Sequence, residues 1–118
     1  MEVFRHHIYE FKKGLRNLVL HTCPATKREE VEFVLSKYGA EYQIYPVTPA
    51  KINVFFGLKE CVEVVRVIGK EKLYEYTDEE DFILGSLLGY SNSVQCARYI
   101  KRKKKHFEKD RKAAVYVD

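Results

Sequence analysis

Five polar side chains near the start of the chain, His6, His7, Arg16, His21 and Cys23, are of the types that serve metal or nucleophilic chemistry. Their spacing is restrictive. Adjacent residues on a helix diverge by about 100°, so His6 and His7 are not expected to converge on one ion. His21 and Cys23 are two apart, and on a strand they share one face, which makes them candidate metal ligands. No further ligand stands at a spacing that completes a zinc site. Cys23 is followed by Pro24, which keeps the thiol out of regular structure, as a haem-iron thiolate requires. A nucleophilic cysteine needs a neighbouring base or a helix N-terminus. Cys23 has His21 nearby and a helix start after it, yet no oxyanion donor or orienting acid is identifiable. The glycines stand singly, at 14, 39, 57, 69, 85 and 89, so there is no phosphate-cradling loop. We expect no cofactor and no enzymatic activity.

The second chemical feature is a basic end. Residues 98–118 carry nine Lys or Arg and three acids, whereas residues 1–97 carry twelve bases and fourteen acids. The net charge of +4 therefore hides a mildly acidic body and a cationic tail, a layout that favours an anionic partner. Arg98, Lys101, Arg102, Lys103, Lys104 and Lys105 are the candidate binding residues. The segment Asp78–Lys105 has the outline of a helix-turn-helix, with small Gly85 for close contact and Gly89 for the turn. The register disagrees by one residue. The inward position of the second helix should be 95, which is Gln95, while the apolar residue is Val94. The lysines also lie late, where a recognition helix reads bases early. DNA binding is thus the alternative to an acidic protein partner.

The elements that must position these groups follow from periodicity. A chain of 118 residues is read as one domain, 1–118. Phe4, Ile8, Phe11 and Leu15 recur at helical spacing, and Lys12 and Lys13 before Gly14 suit a helix end, with a strand turning at Lys13-Gly14 as the competing reading. Leu15 to Thr22 reads as a buried strand. Thr26 and Glu29 form a capping box for a helix with Val31, Val34, Leu35 and Tyr38 inward. Tyr42, Ile44 and Val47 alternate as a half-exposed strand, Pro46 and Pro49 bracket a turn, and Lys51–Gly57 is a second buried strand that partners the first hairpin-fashion. Leu58–Gly69 is a helix with Val62, Val65 and Ile68 inward. Thr77 and Glu80 form another capping box, for a helix burying Phe82, Ile83 and Leu87 or Leu88. A last helix turns Val94, Ala97 and Ile100 or Tyr99 inward, and Ala113–Val117 is left to dock or pair as an edge. The fold class is α/β of the α+β kind, a three-stranded sheet with packed helices. A β-α-β-β-α core at 16–69 precedes a helical hairpin at 77–105.

No apolar run approaches the ~20 residues of a membrane span, so no membrane contact is expected. The start Met1–His7 lacks the apolar block of a signal peptide, which points to the cytoplasm. Three cysteines without a CxxC pair do not read as a disulfide framework. Nine tyrosines and seven phenylalanines cannot all be buried in so short a chain, and exposed aromatic surface is a sign of self-association or partner binding.

The residues Phe4–Glu10, Lys13–Arg16, Leu18–Thr22, Leu88-Gly89-Tyr90, Gln95-Cys96 and Arg98-Tyr99 together resemble a family of small bacterial proteins of unknown function. The resemblance spans essentially the whole chain and implies three strands, five helices and a homodimer, with no assigned activity. Cys23-Pro24 and Leu88-Gly89-Tyr90 also resemble elements of a second uncharacterised bacterial family, some of whose members are encoded near flavodoxins. That second likeness implies an acidic electron carrier such as flavodoxin as the partner of the basic helix.

Overall fold

The computed structural model describes residues 2–115, with side chains through residue 112. Its elements are α1 (Glu2–Lys12), β1 (Leu18–Pro24), α2 (Arg28–Lys37), β2 (Glu41–Thr48), β3 (Lys51–Gly57), α3 (Lys59–Ile68), α4 (Asp78–Leu87) and α5 (Asn92–Val115). Single 3-10 turns occupy Ala25–Lys27 and Leu73–Glu75. Five helices and a three-stranded sheet in this order make the α+β architecture that the periodicity predicts. The N-terminal segment is a helix, because Phe4 and Ile8 recur on one face and that face is buried.

The sheet is antiparallel in the order β1-β3-β2. The buried strand β3 does pair with β1, Leu18 opposite Gly57 and Cys23 opposite Ile52. The hairpin, however, joins β2 to β3, with an irregularity between Pro46 and Thr48. The expectation of a hairpin between the two buried strands is therefore corrected: β3 sits between both neighbours. Side-chain alternation then divides the core into two layers. Val19, Cys23, Ile44, Ile52, Val54 and Phe56 lie with Phe4 and Ile8 of α1 and Val31 and Leu35 of α2. Leu18 and Phe55 lie on the other face with Val62 and Val65 of α3, Tyr76, Leu84 of α4 and Leu88 just after it. Gly57 is required where the sheet meets the loop before β1, since a Cβ there would stand 2.2 Å from the Asn17 carbonyl oxygen.

Several boundaries and faces differ from expectation. The first strand begins at Leu18 and runs through Pro24. The Thr26–Glu29 capping box does not form: the chain makes a 3-10 turn across Thr26, and α2 starts at Arg28 with Lys27 as an uncapped N-cap. The Thr77–Glu80 box does form, with Glu80 N–H donating to Thr77 Oγ1 at 3.1 Å and Thr77 N–H to Glu80 Oε1 at 2.9 Å. On α4 Leu84 is the inward residue and Ile83 is 43% exposed, while Leu88, just past the helix, is buried as expected. Ala113–Val115 continue α5 and form no edge strand; Tyr116 and Val117 lie outside the described residues.

Candidate functional site

Helices α4 and α5 cross where Gly85 meets Gln95. A Cβ on Gly85 would stand 1.7 Å from Gln95 Nε2, so the absence of a side chain lets the helices close. Gln95 is 2% exposed and Val94 60% exposed, which corrects the expected inner face of the last helix. The buried amide is accommodated because Gln95 Nε2 donates to the Phe82 carbonyl at 3.3 Å. Gly89 turns the chain between the helices at φ 88°, a region open to glycine. Position 95 thus faces inward after all, as helix-turn-helix spacing requires, but with a polar residue that apolar periodicity could not flag.

Beyond the crossing, the acidic start of α4 faces the first part of the basic run. Arg98 holds Asp81 through two bonds, Nε to Oδ2 at 2.7 Å and Nη2 to Oδ1 at 2.9 Å. Arg102 Nε donates to Asp78 Oδ1 at 2.8 Å and Nη2 to the Tyr76 carbonyl at 3.2 Å. Lys103 Nζ lies 2.8 Å from Glu79 Oε2, which also accepts from the Tyr99 hydroxyl. His106 Nδ1 lies 2.8 Å from Asp78 Oδ2. Residues 98, 102 and 106 recur every four positions and line one helix face. Arg102 holds the Asp78 carboxyl below the usual carboxylate range, Lys103 does so for Glu79, and Arg98 for Asp81. Lys70 binds Glu80 and has the same effect there.

The six candidate basic residues therefore separate into two sets. Arg98, Arg102 and Lys103 are engaged by α4 carboxylates. Lys101, Lys104 and Lys105 are exposed and have no carboxylate partner among the described residues. They share a helix face with Ala97, Ile100 and Glu108. Next to it runs a largely apolar groove of about 420 Å³ lined by Glu79, Phe82, Ile83, Cys96, Tyr99 and Ile100. A 24-residue helix is about 36 Å long, longer than two of the molecule's principal extents of 59, 33 and 24 Å. Past His106, no hydrogen bond or ion pair ties it to α4 among the described residues, and Lys103 through Lys112 are all exposed.

The N-terminal histidines do converge, on a carboxylate. His6 Nε2, His7 Nδ1 and Arg16 Nη1 lie 3.5, 3.7 and 3.7 Å from Glu10 Oε1. Both histidines reach it because residues three and four apart on a helix are neighbours. His7 and His21 meet edge to face at 5.6 Å, and Phe4 packs on His21 at 5.1 Å. Burial lowers the pKa of His7, with Arg16 adding to it, and burial with His7 lowers that of His21. His21 and Cys23 share the buried layer under α1, as strand alternation predicts. Burial pushes the Cys23 thiol up, away from the thiolate that a metal, haem iron or nucleophilic role needs. Among the described residues no three His, Cys, Asp or Glu side chains gather as a metal site.

Among the described residues, no helix is long and apolar enough to cross a membrane. A family model described as "Protein of unknown function (DUF2023)" matches residues 2–102. A comparison with curated proteins gives no match.

Proposed function

For this chain, which belongs to the DUF2023 family of proteins of unknown function, we propose a binding or regulatory role in which α5 docks an acidic protein partner. The observation that carries the reading is the division of the basic run. Arg98, Arg102 and Lys103 fix α5 on α4, and Lys101, Lys104 and Lys105 are left facing solvent beside Ile100. A rigid helix with a clustered cationic face speeds encounter with a carboxylate-rich surface and makes it salt-sensitive. A flavodoxin is a suitable acidic probe. Titration with flavodoxin should give binding that weakens as salt rises; no binding at low salt would reject this choice of partner.

Self-association of two copies belongs to the same proposal. The groove of Phe82, Ile83, Cys96 and Ile100, together with exposed Phe107 on the same helix, supports it as an apolar surface suited to a like surface. Sedimentation should report a dimer, and a monomer at all concentrations would remove this part. A DNA-binding regulator is the second reading, favoured by the tight Gly85–Gln95 crossing. It requires retention on DNA that prefers a defined sequence, since a cationic helix alone gives only non-specific, salt-labile retention.

A further inference from the structure

The two edges of the sheet are treated differently. Backbone groups of successive strand residues point to alternate sides. Along β2 the outward carbonyls are those of Tyr42, Ile44 and Pro46, because Glu41, Gln43 and Tyr45 face β3 in the register. Each outward carbonyl is occupied. Arg66 Nη2 donates to Tyr42 at 2.8 Å, Gln43 Nε2 to Ile44 at 3.3 Å and Lys72 Nζ to Pro46 at 2.7 Å. Pro46 also has no N–H to offer. The acceptors of this edge are thus taken, which hinders the addition of another strand.

The β1 edge also ends in a proline, Pro24, but its outward carbonyls are not occupied in this way. Asn17 C=O and Ala25 N–H bond Leu58 and Ala50 on the β3 side, so Leu18, Leu20 and Thr22 turn their backbone groups outward. Among the described residues these groups have no hydrogen-bond partner in the chain. Leu20 also lines a cleft of about 470 Å³ between β1 and the α4–α5 pair, with Leu84, Leu88, Tyr90, Val94 and Arg98 along its walls. Arg98 uses Nε and Nη2 on Asp81, and its Nη1 has no partner among the described residues. Asp81 borders the same cleft and is neutralised by Arg98 and Arg102.

We infer that the β1 edge and this cleft form a strand-addition site for an extended, acidic segment of another protein. The segment's backbone pairs with Leu20 and Thr22. Its alternate side chains enter the cleft, an apolar one over Leu84 and Leu88 and a carboxylate toward Arg98. Main-chain bonds supply affinity and the alternate pockets supply specificity in this mode. A second copy of the chain fits the cleft less well, since its own β1 offers Leu18, Leu20, Thr22 and Pro24 and brings no acid to Arg98. The site does not use Lys101, Lys104 or Lys105 and is independent of the α5 reading.

The probe is a phage-displayed library of linear peptides selected on the full chain, followed by hydrogen exchange with the best synthetic peptide. The expected result is a selected pattern of alternating apolar and acidic residues, with slowed exchange at the Leu20 and Thr22 amides. Leu20→Pro removes an outward donor without taking a bond from the β1–β3 ladder and should weaken the peptide at least tenfold. Should that variant not fold, Val94→Glu, at a 60% exposed cleft position, should weaken an acidic peptide comparably by repulsion. Charge reversal of Lys101, Lys104 and Lys105, which lie off the cleft, should cost far less than Leu20→Pro, and only at low salt. No enrichment over background, protection elsewhere, or binding indifferent to Leu20→Pro or Val94→Glu would overturn the inference. Concentration-dependent protection of Leu20 and Thr22 without peptide would also overturn it, by assigning the edge to a second copy.

Discussion

At the scale of single residues, the telling groups are polar ones held where apolar ones are usual. His21 is 9% exposed, and neither His21 Nε2 nor His7 Nδ1 has a hydrogen-bond partner among the described residues. His21 packs between Phe4 and His7 and is depressed by burial and by His7; His7 answers to burial first, then to Arg16, Glu10 and His6. Both bind protons less readily folded than unfolded. Their contribution is therefore present above the ordinary imidazole value of about 6.5 and is lost as pH falls below it. Urea midpoints should drop on acidification through this range, and His21→Leu should flatten the drop. An equal drop in that variant and the parent would place the sensitivity elsewhere. Gly85 offers a sharper steric test. Gly85→Ala forces the Gln95 amide to move and should destabilise the chain by about 1–3 kcal/mol, the range for overpacking, measured by denaturant melts. A neutral result would mean that the α4–α5 crossing is looser than described.

At the scale of elements, local chemistry was legible and non-local pairing was not. Thr77 and Glu80 satisfy each other within one turn, so the capping pattern alone identified the start of α4. The same pattern at Thr26 and Glu29 failed because the chain tightens into a 3-10 turn there. The β2–β3 hairpin and the central place of β3 depend on pairing across the sheet, which alternation within one strand does not encode. The bonds of Arg98, Arg102 and Lys103 span 17 to 24 residues. Only the opposition of an acidic helix start and a basic helix hinted at them. Those bonds make a pH prediction for one element pair. Asp78, Glu79 and Asp81 have depressed folded pKa values. The stability that they contribute is present above the unfolded carboxylate range of about 4 and is lost as pH falls through the lower folded values. Residue-resolved hydrogen exchange should show α5 loosening on α4 at acid pH, apart from the histidine effect at α1. Simultaneous release of both regions would contradict separate clamps.

At the scale of the whole molecule, the core is complete without α5. Helices α1 and α2 cover one face of the sheet, and α3 and α4 cover the other. What α5 adds is a projecting arm with nine basic residues against two acidic ones, fixed at one end and open at the other. The sequence made the arm and its charge plain. It could not show which cations were already committed, because that depends on which helix face meets α4. The division into engaged and open cations is also what separates a docking surface from a charged but self-satisfied helix end.

The most direct measurement compares flavodoxin affinity for the parent chain and for a variant carrying Lys101→Glu, Lys104→Glu and Lys105→Glu, at low salt. The three lysines make no ion pair within the described residues, so the variant should fold as the parent does while affinity falls at least tenfold. Undiminished affinity in a folded variant would contradict the assignment of α5 as the docking surface.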